Sequence, residues 1–320
     1  MTKKILIVDE MHPSLLPMLQ EIGFQADYQP KITKEEVLTI ISEYEGIVVR
    51  GKLKIDKSFL EKAHCLRFIA RAGSGLDQID INEAQRRNIA LLNAPEGNRD
   101  AVAEHCVGML LCLLNKINLA DKQVRNLVWD REGNRGIELM GKTVGIMGYG
   151  NMGRAFAQRL VGFACKVLVY DVENEKIKDD FVLKSSLAQI QAEADIFSLH
   201  IPLTPENKQI FTATFFDNFQ KNIFLINTAR GELIDLQVLK EKLISGKIRG
   251  ACLDVLENEK LATLTEKQKE AFDALKAMDN VLFTPHVAGW TAESYIRINE
   301  VLVEKIKKIF PVTTCNRYLP

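Results

Sequence analysis

The run Thr143-Val144-Gly145-Ile146-Met147-Gly148-Tyr149-Gly150-Asn151-Met152-Gly153, followed further on by Asp171, decides how this chain is read. Thr143 to Met147 is a short apolar run of strand type, and Arg154 to Leu160 has helical spacing. Between them lie glycines in the order G-x-G-x-x-G. A strand feeding a helix through such a turn brings backbone N–H groups and the positive helix end up to a pyrophosphate. Lys166 to Tyr170 is a second apolar run, closed by Asp171. That is roughly 20 residues beyond the glycines, where an acid accepts hydrogen bonds from a ribose 2′-hydroxyl. Glycines alone would equally fit a turn built for tight helix–strand packing. Strand, glycines, helix, strand and acid in this order point to a nicotinamide dinucleotide held by Gly148, Gly150, Gly153 and Asp171. Asp171 repels a 2′-phosphate and no arginine directly follows it, so NAD is expected rather than NADP.

The fingerprint sits near the middle of 320 residues, so a further unit precedes it. Hydrophobic residues make up 47% and charged residues 26%, and Lys plus Arg (42) balance Asp plus Glu (42). With no basic excess to release counterions, a nucleic-acid partner is not expected. Six cysteines, Cys65, Cys106, Cys112, Cys165, Cys252 and Cys315, include no C-x-x-C pair and fall mostly in apolar runs. They read as reduced, mostly buried thiols, which with the lack of a leader before Ile5 predicts a cytoplasmic protein. No apolar stretch has bilayer-spanning length, so no membrane partner is expected.

Outward from the fingerprint, strand-like runs at Ile5–Val8, Gly46–Val49, Leu66–Ala70 and Ile89–Leu92 alternate with helical ones at Ser14–Ile22 and Ile81–Arg87. Later strands are expected at Ile196–Leu199, Ile223–Ile226, Ala251–Leu253 and Val281–Phe283, and a last helix at Glu293–Ile309. This β/α alternation predicts an α/β fold of parallel sheets covered on both faces. Asn93 to Asn98 is dense in turn formers and reads as a hinge. A long apolar helix, Ala101 to Leu114, follows, with Asn98 or Asp100 as possible caps. Lys122 to Arg135, with Trp129, reads as an exposed arm or partner surface.

Three ionisable residues follow strands of the second series: Arg230, Glu259 and His286. Ligands of open parallel sheets bind at the carboxyl ends of strands, beside the dinucleotide. A carbonyl that takes a hydride needs a proton at its oxygen, which His286 can supply; Glu259 would favour its imidazolium, and Arg230 can hold a carboxylate. Singly, each has a plainer reading: a capped loop residue, a solvated charge run, a salt-bridge residue. In the first series, the successive N–H groups of Gly73-Ser74-Gly75 could form a concavity for a carboxylate, or be a plain turn. Arg50, Lys52, Lys54 and Arg71 could meet a substrate anion, though Lys52 and Lys54 fit scattered surface cations equally well. Glu104 and His105 are adjacent on a helix and do not face each other; both read as structural or interface groups. The five histidines lack metal-ligand spacing, so no metal is expected.

These blocks, with Asn93-Ala94-Pro95-Glu96-Gly97-Asn98, Val102-Ala103-Glu104-His105, Leu199-His200-Ile201-Pro202-Leu203-Thr204 and Pro285 to Gly289, occur in order along nearly the whole chain. The chain resembles the D-isomer-specific 2-hydroxyacid dehydrogenases, most closely their D-3-phosphoglycerate dehydrogenase branch. The resemblance implies a Rossmann NAD domain, residues 97–290, inserted into a flavodoxin-like substrate domain of residues 1–96 and 291–320. It implies Arg230, Glu259 and His286 as catalytic residues. It implies cofactor contacts from Ser74, Asn151, Met152, Asp171, Ile201, Pro202, Thr228, Ala229, Arg230, Asp254 and His286 through Ala288 to Gly289. The residues themselves suggest substrate contacts from Arg50, Arg71, Gly73, Ser74 and Gly75, and the resemblance implies a homodimer paired through the cofactor domain. Expected substrates are 3-phosphoglycerate and its keto acid, with glyoxylate or hydroxypyruvate reduction as the alternative and an NAD-sensing scaffold as a third. Three departures stand out: Trp290 where the family commonly has a small residue, Lys260 for a frequent proline, and Asn151-Met152 for a frequent Arg-Ile. No C-terminal serine-sensing domain is expected, since the chain ends near Pro320.

Overall fold

The computed structural model describes residues 3–173, 175 and 177–310. In chain order its elements are β1 (Lys3–Ile7), α1 (Leu15–Glu21), β2 (Phe24–Tyr28), α2 (Lys34–Ile40), β3 (Gly46–Val49), α3 (Lys57–Leu60), β4 (Phe68–Arg71), α4 (Ile81–Arg86) and β5 (Ala90–Asn93). Next come α5 (Pro95–Leu114), α6 (Ile117–Arg125), β6 (Thr143–Met147), α7 (Asn151–Leu160), β7 (Lys166–Tyr170), β8 (Leu183–Lys184), α8 (Leu187–Glu193) and β9 (Ile196–Leu199). The chain continues through α9 (Ala213–Asp217), β10 (Ile223–Asn227), α10 (Leu236–Ile244), β11 (Ile248–Leu253), α11 (Glu266–Lys276), β12 (Val281–Phe283) and α12 (Ala292–Ile309). It divides into two compact units, Met1–Asn98 with Trp290–Pro320, and Arg99–Gly289. Cys315, and residues 311–320 of the expected substrate domain, lie outside the described residues.

Unit 1 holds a parallel sheet in the order β2-β1-β3-β4-β5. This is the flavodoxin-like order. Alternate residues feed two cores: Ile5, Ile7, Val48, Phe68 and Ala70 on one face, Leu6, Val8, Ile47, Val49 and Ile69 on the other. Covering both faces explains why these strands read as unbroken apolar runs. The last helix, α12, packs Ile298, Leu302, Val303 and Ile306 onto the first of these cores.

Unit 2 holds a parallel sheet in the order β12-β11-β10-β9-β6-β7-β8. Counted from β6, this is the doubly wound Rossmann order, with the strand order reversing between β6 and β9. Ligands of such sheets bind at that reversal, beyond the carboxyl ends of the strands. The register there is even: Met147 lies opposite Leu199, Asn227 opposite Leu253, and Leu253 opposite Phe283. The residues that follow each strand therefore emerge along one edge. One face of the sheet is stiffened by Phe197, which meets Phe211, Phe215 and Phe219 at centroid distances of 5.1–6.0 Å. Pairs of this kind contribute about 0.5–1.5 kcal/mol each beyond their buried area.

One expectation is corrected. Pro95 to Asn98 is not a loop but the first turn of α5. Proline is at home there, because its missing N–H has no helical partner at the first position and its φ is already helical. Asn98 and Asp100 thus lie inside the helix and do not cap it; Asp100 instead accepts from Arg159 Nη2 at 2.6 Å. Gly97 belongs in the helix for a packing reason: a Cβ there would stand 2.8 Å from the Ile298 backbone.

Candidate active site and cofactor cradle

The fingerprint turn is shaped by two contacts and one open space. Gly148 has φ +92°, and a Cβ on it would lie 2.5 Å from the His200 carbonyl oxygen. A Cβ on Gly153 would lie 2.0 Å from the Gly148 carbonyl oxygen, so α7 is pressed against the turn. Gly150 differs: its φ is an ordinary −78°, and a Cβ would meet nothing within 4 Å. The protein's own packing therefore does not demand a glycine there, and the open space leaves room for an outside group. Gly150 is also the N-cap of α7 and gives it no side-chain cap, leaving the first N–H groups, beginning with Asn151 and Met152, for an anion. Asp171 Oδ2 accepts the Tyr149 N–H at 2.6 Å, and Oδ1 that of Glu173 at 2.9 Å, fixing the acid beside the turn. These features fit a dinucleotide.

Across the reversal, His200 N–H donates to the Met147 carbonyl at 2.8 Å, which places Ile201 beside Gly148. The His200 ring lies 2.8 Å from Ser198 Oγ and 5.5 Å from the centre of Phe156. Burial pushes its pKa down to about 3, so it is a neutral wedge between strand and helix. Its role was not evident from the sequence beyond its place in a family block.

The Arg230 loop is tightly folded. Asn227 side-chain atoms accept from Ala229 N–H (3.1 Å) and donate to the Arg230 carbonyl (3.0 Å). A Cβ on Gly231 would fall 1.9 Å from the Leu256 backbone, so this loop is pressed against the one after β11. Thr228 Oγ1 lies 3.2 Å from the buried Cys106 thiol of α5. Cys65, Cys106, Cys112, Cys165 and Cys252 are all free thiols.

Asp254, only 1% exposed, organises the edge. It accepts from Thr284 Oγ1 at 2.5 Å and from the N–H groups of Val287 and Ala288 at 2.9 Å each. Its carbonyl accepts the His286 N–H at 2.8 Å. His286 is thereby held at φ +55°, a left-handed conformation that costs a non-glycine residue about 1–2 kcal/mol. His105 of α5 completes the support, with Nε2 3.0 Å from Thr284 Oγ1. Of the two sequence readings of His105, structural or interface, this contact fits the structural one; Thr284 had no role assigned from the sequence.

His286 Nδ1 lies 2.8 and 3.1 Å from the two Glu259 carboxylate oxygens. An ionised carboxylate only accepts, so Nδ1 carries the proton and Nε2 is the ring nitrogen left outside this pair. The hydrogen bond to Glu259 raises the imidazole pKa; partial burial and the Arg230 charge oppose it, while the Glu259 and Asp254 charges reinforce it. Both side chains are 47% exposed. Such a pair adds little stability, about 0–1 kcal/mol, so its value lies in orientation and proton affinity. A cavity of about 240 Å³ opens beside it, lined by Asp254, Glu259, Thr284 and His286 among others.

In unit 1, Arg50 follows β3 and Arg71 ends β4, and both line one small cavity with Gly75. Gly73 has φ +139°, and a Cβ on it would meet the Arg71 guanidinium at 1.7 Å. Ser74 Oγ donates to Asn98 Oδ1 at 2.7 Å, and its carbonyl accepts from Asn93 Nδ2 at 2.6 Å. Lys52 is a structural cation, donating to the Pro30 carbonyl at 2.8 Å. Among the described residues no cluster of His, Cys, Asp or Glu is placed to hold a metal, and no single helix is long and apolar enough to cross a membrane.

Comparison with known proteins now decides the family. The NAD-binding domain model of the D-isomer specific 2-hydroxyacid dehydrogenases matches residues 107–288. The chain belongs to this family. Its cofactor is NAD. It is 35% identical over 309 residues to D-3-phosphoglycerate dehydrogenase of Methanocaldococcus jannaschii, covering 96% of this chain and 57% of that relative. The chain therefore spans little more than half the length of such relatives. A hydroxypyruvate reductase of Thermotoga maritima is 34% identical, with 94% of this chain and 95% of that one covered. The crystal structure of D-lactate dehydrogenase from Aquifex aeolicus, complexed with NAD and lactic acid, superposes with a TM-score of 0.82 at 26% identity, covering 96% and 95% of the two chains.

Proposed function

We propose that the chain interconverts a D-2-hydroxy acid and its 2-keto acid with NAD, and that 3-phosphoglycerate and 3-phosphohydroxypyruvate are the pair. The observation that carries the reaction is His286 on the cofactor edge, its Nδ1 tied to Glu259 and its Nε2 left to meet substrate. In oxidation, Nε2 takes the hydroxyl proton while the hydrogen on the same carbon leaves as hydride. In reduction, the imidazolium returns the proton to the keto oxygen. NAD, when bound, supplies the hydride acceptor. Arg230 holds the substrate carboxylate and polarises the oxygen. Gly148, Gly150, Asn151, Met152, Gly153, Asp171, Ile201, Pro202, Thr228, Ala229, Asp254, Ala288 and Gly289 form the cofactor site. Unit 1 is the substrate domain, with Arg50, Arg71, Gly73, Ser74 and Gly75 receiving the substrate's anionic groups.

The two arginines at one strand edge motivate the phosphate. The match to a hydroxypyruvate reductase over nearly its full length favours the unphosphorylated keto acid as the second reading. Steady-state rates with NADH and a panel of 2-keto acids test both, alongside His286→Gln. The variant is expected to bind NADH normally and lose at least about 100-fold in kcat, the scale of general acid catalysis. Unchanged turnover would remove His286 from the reaction; no NADH consumption with any keto acid would sink the enzymatic reading in favour of an NAD-sensing scaffold.

We also propose a homodimer. Helix α6 buries none of its residues, and Ile117, Val124, Leu127, Val128, Trp129 and Met140 are all exposed. A second copy of the chain is the expected cover.

A further inference from the structure

The Arg50 guanidinium lies 3.4 Å from the centroid of the Trp290 ring and 5.7 Å from that of Tyr295. The first distance is face contact between a cation and an indole. The two aromatic rings meet at 4.7 Å with planes inclined by 53°. This shelf is anchored at the start of α12. Thr291 and Ser294 close a capping box, with bonds of 2.9 and 3.0 Å between their backbone N–H groups and hydroxyls. Tyr295 N–H donates to the Thr291 carbonyl at 3.1 Å, and the His12 ring meets Tyr295 edge-on at 5.5 Å. Asn299 Nδ2, one turn on, holds the His12 carbonyl at 3.1 Å and Ser14 Oγ at 3.0 Å.

Among the described residues no carboxylate forms an ion pair with the charge resting on this shelf, although Asp9 and Glu10 act on it from farther away. Asp9 is near, but its carboxylate accepts the Arg50 backbone N–H at 2.6 Å instead. Burial lowers the guanidinium pKa, the mark of a partly desolvated cation. Stacking occupies the face of a guanidinium and leaves its in-plane N–H donors for a fork-like grip on an oxyanion. Arg50 also lines the same small cavity as Arg71 and Gly75.

We infer that Trp290 is a specificity-determining residue: its ring fixes the Arg50 guanidinium for in-plane capture of a phosphate monoester on the substrate, beyond the keto acid. The inference deepens the functional reading above and rests on unit 1 receiving the substrate. An ordinary packing residue would be replaced by any apolar side chain of similar bulk, whereas this role needs a π-face. The measurement is the ratio of kcat/KM for 3-phosphohydroxypyruvate to that for hydroxypyruvate, with NADH, in the wild type, Arg50→Ala, Trp290→Leu and Trp290→Phe. We expect Arg50→Ala to abolish the preference and Trp290→Leu to cut it at least about fivefold, mainly through KM, with Trp290→Phe keeping most of it. If Arg50→Ala abolishes the preference while Trp290→Leu and Trp290→Phe both retain it, the shelf is overturned and the phosphate reading stands. If the wild type shows no preference, or Arg50→Ala leaves it intact, the phosphate reading fails and takes the shelf with it. The Leu and Phe variants keep apolar bulk, and melting curves on both confirm that folded enzymes are compared.

Discussion

At the scale of single residues, Glu259 shows how a surface pair can matter without stabilising anything. Its bond to His286 raises the imidazole pKa, so the proton-donating form persists to higher pH than in a free histidine, whose pKa is about 6.5. Keto-acid reduction needs the imidazolium. It is therefore fully supported below the raised pKa and lost as pH rises through it; oxidation, which needs the neutral ring, shows the opposite limb. Glu259→Gln keeps an acceptor but removes the charge, and Arg230 and partial burial then act against a weaker opposing pull. The descending limb of the reduction profile should move to lower pH, with melting temperature nearly unchanged. A pH–rate profile that does not move would dissociate Glu259 from the proton. This pair was legible in the sequence because both residues follow strands of one parallel sheet. The support beneath it was not: His105 and Thr284 are 179 positions apart, and only the folded sheet brings them to Asp254.

At the scale of elements, legibility followed burial. Central strands buried along their whole length are read as apolar runs, Gly46–Val49 and Ile196–Leu199 to the residue. The edge strand Phe24–Tyr28, with a single buried residue, was overlooked. So was the helix Lys34–Ile40, in which Val37 alone is buried, although its Thr33/Glu36 capping box was there to be read. The fingerprint turn gives a sharper test of element-level reading, because its glycines are there for different reasons. Gly153→Ala puts a methyl group against the Gly148 carbonyl and should cost about 1–3 kcal/mol of stability as well as NADH affinity. Gly150→Ala meets open space at an ordinary φ, so stability should change by less than about 1 kcal/mol. Its NADH dissociation constant should nevertheless rise at least about tenfold, because the methyl group obstructs the pyrophosphate. Calorimetric melting and NADH titration separate the two effects; Gly150→Ala with native NADH affinity would place the pyrophosphate elsewhere.

At the scale of the whole molecule, two parallel sheets follow from β/α alternation, and their segregation from a fingerprint lying mid-chain. The uncovered surface is read not from alternation but from Lys122 to Arg135 and its Trp129, which is indeed exposed. Helix α6 and the segment after it are held in one shape: Lys116 Nζ binds the Gly133 carbonyl at 2.7 Å, Asn134 Nδ2 binds Gln123 at 2.5 Å, and Ile137 N–H binds the Leu114 carbonyl at 3.0 Å. On this fixed backbone Leu127 is 96% exposed and Trp129 85%. Fixing a chain segment has an entropic cost of about 1–2 kcal/mol per residue, which is hard to offset if its apolar side chains remain in water. Monomeric proteins rarely leave such a patch open, and interfaces favour tryptophan. A second copy seated here would cover Ile117, Val124, Leu127 and Trp129 together. The double variant Leu127→Asp/Trp129→Asp places two carboxylates in that contact without touching a buried core. We expect light scattering to give a dimer for the wild type and a monomer for the variant, with the monomer still folded by circular dichroism. The monomer should also melt at a lower temperature that no longer depends on protein concentration, because association stabilises only the native state. A variant that remains dimeric would move the interface to another face, and a monomeric wild type would leave this apolar segment for a different partner.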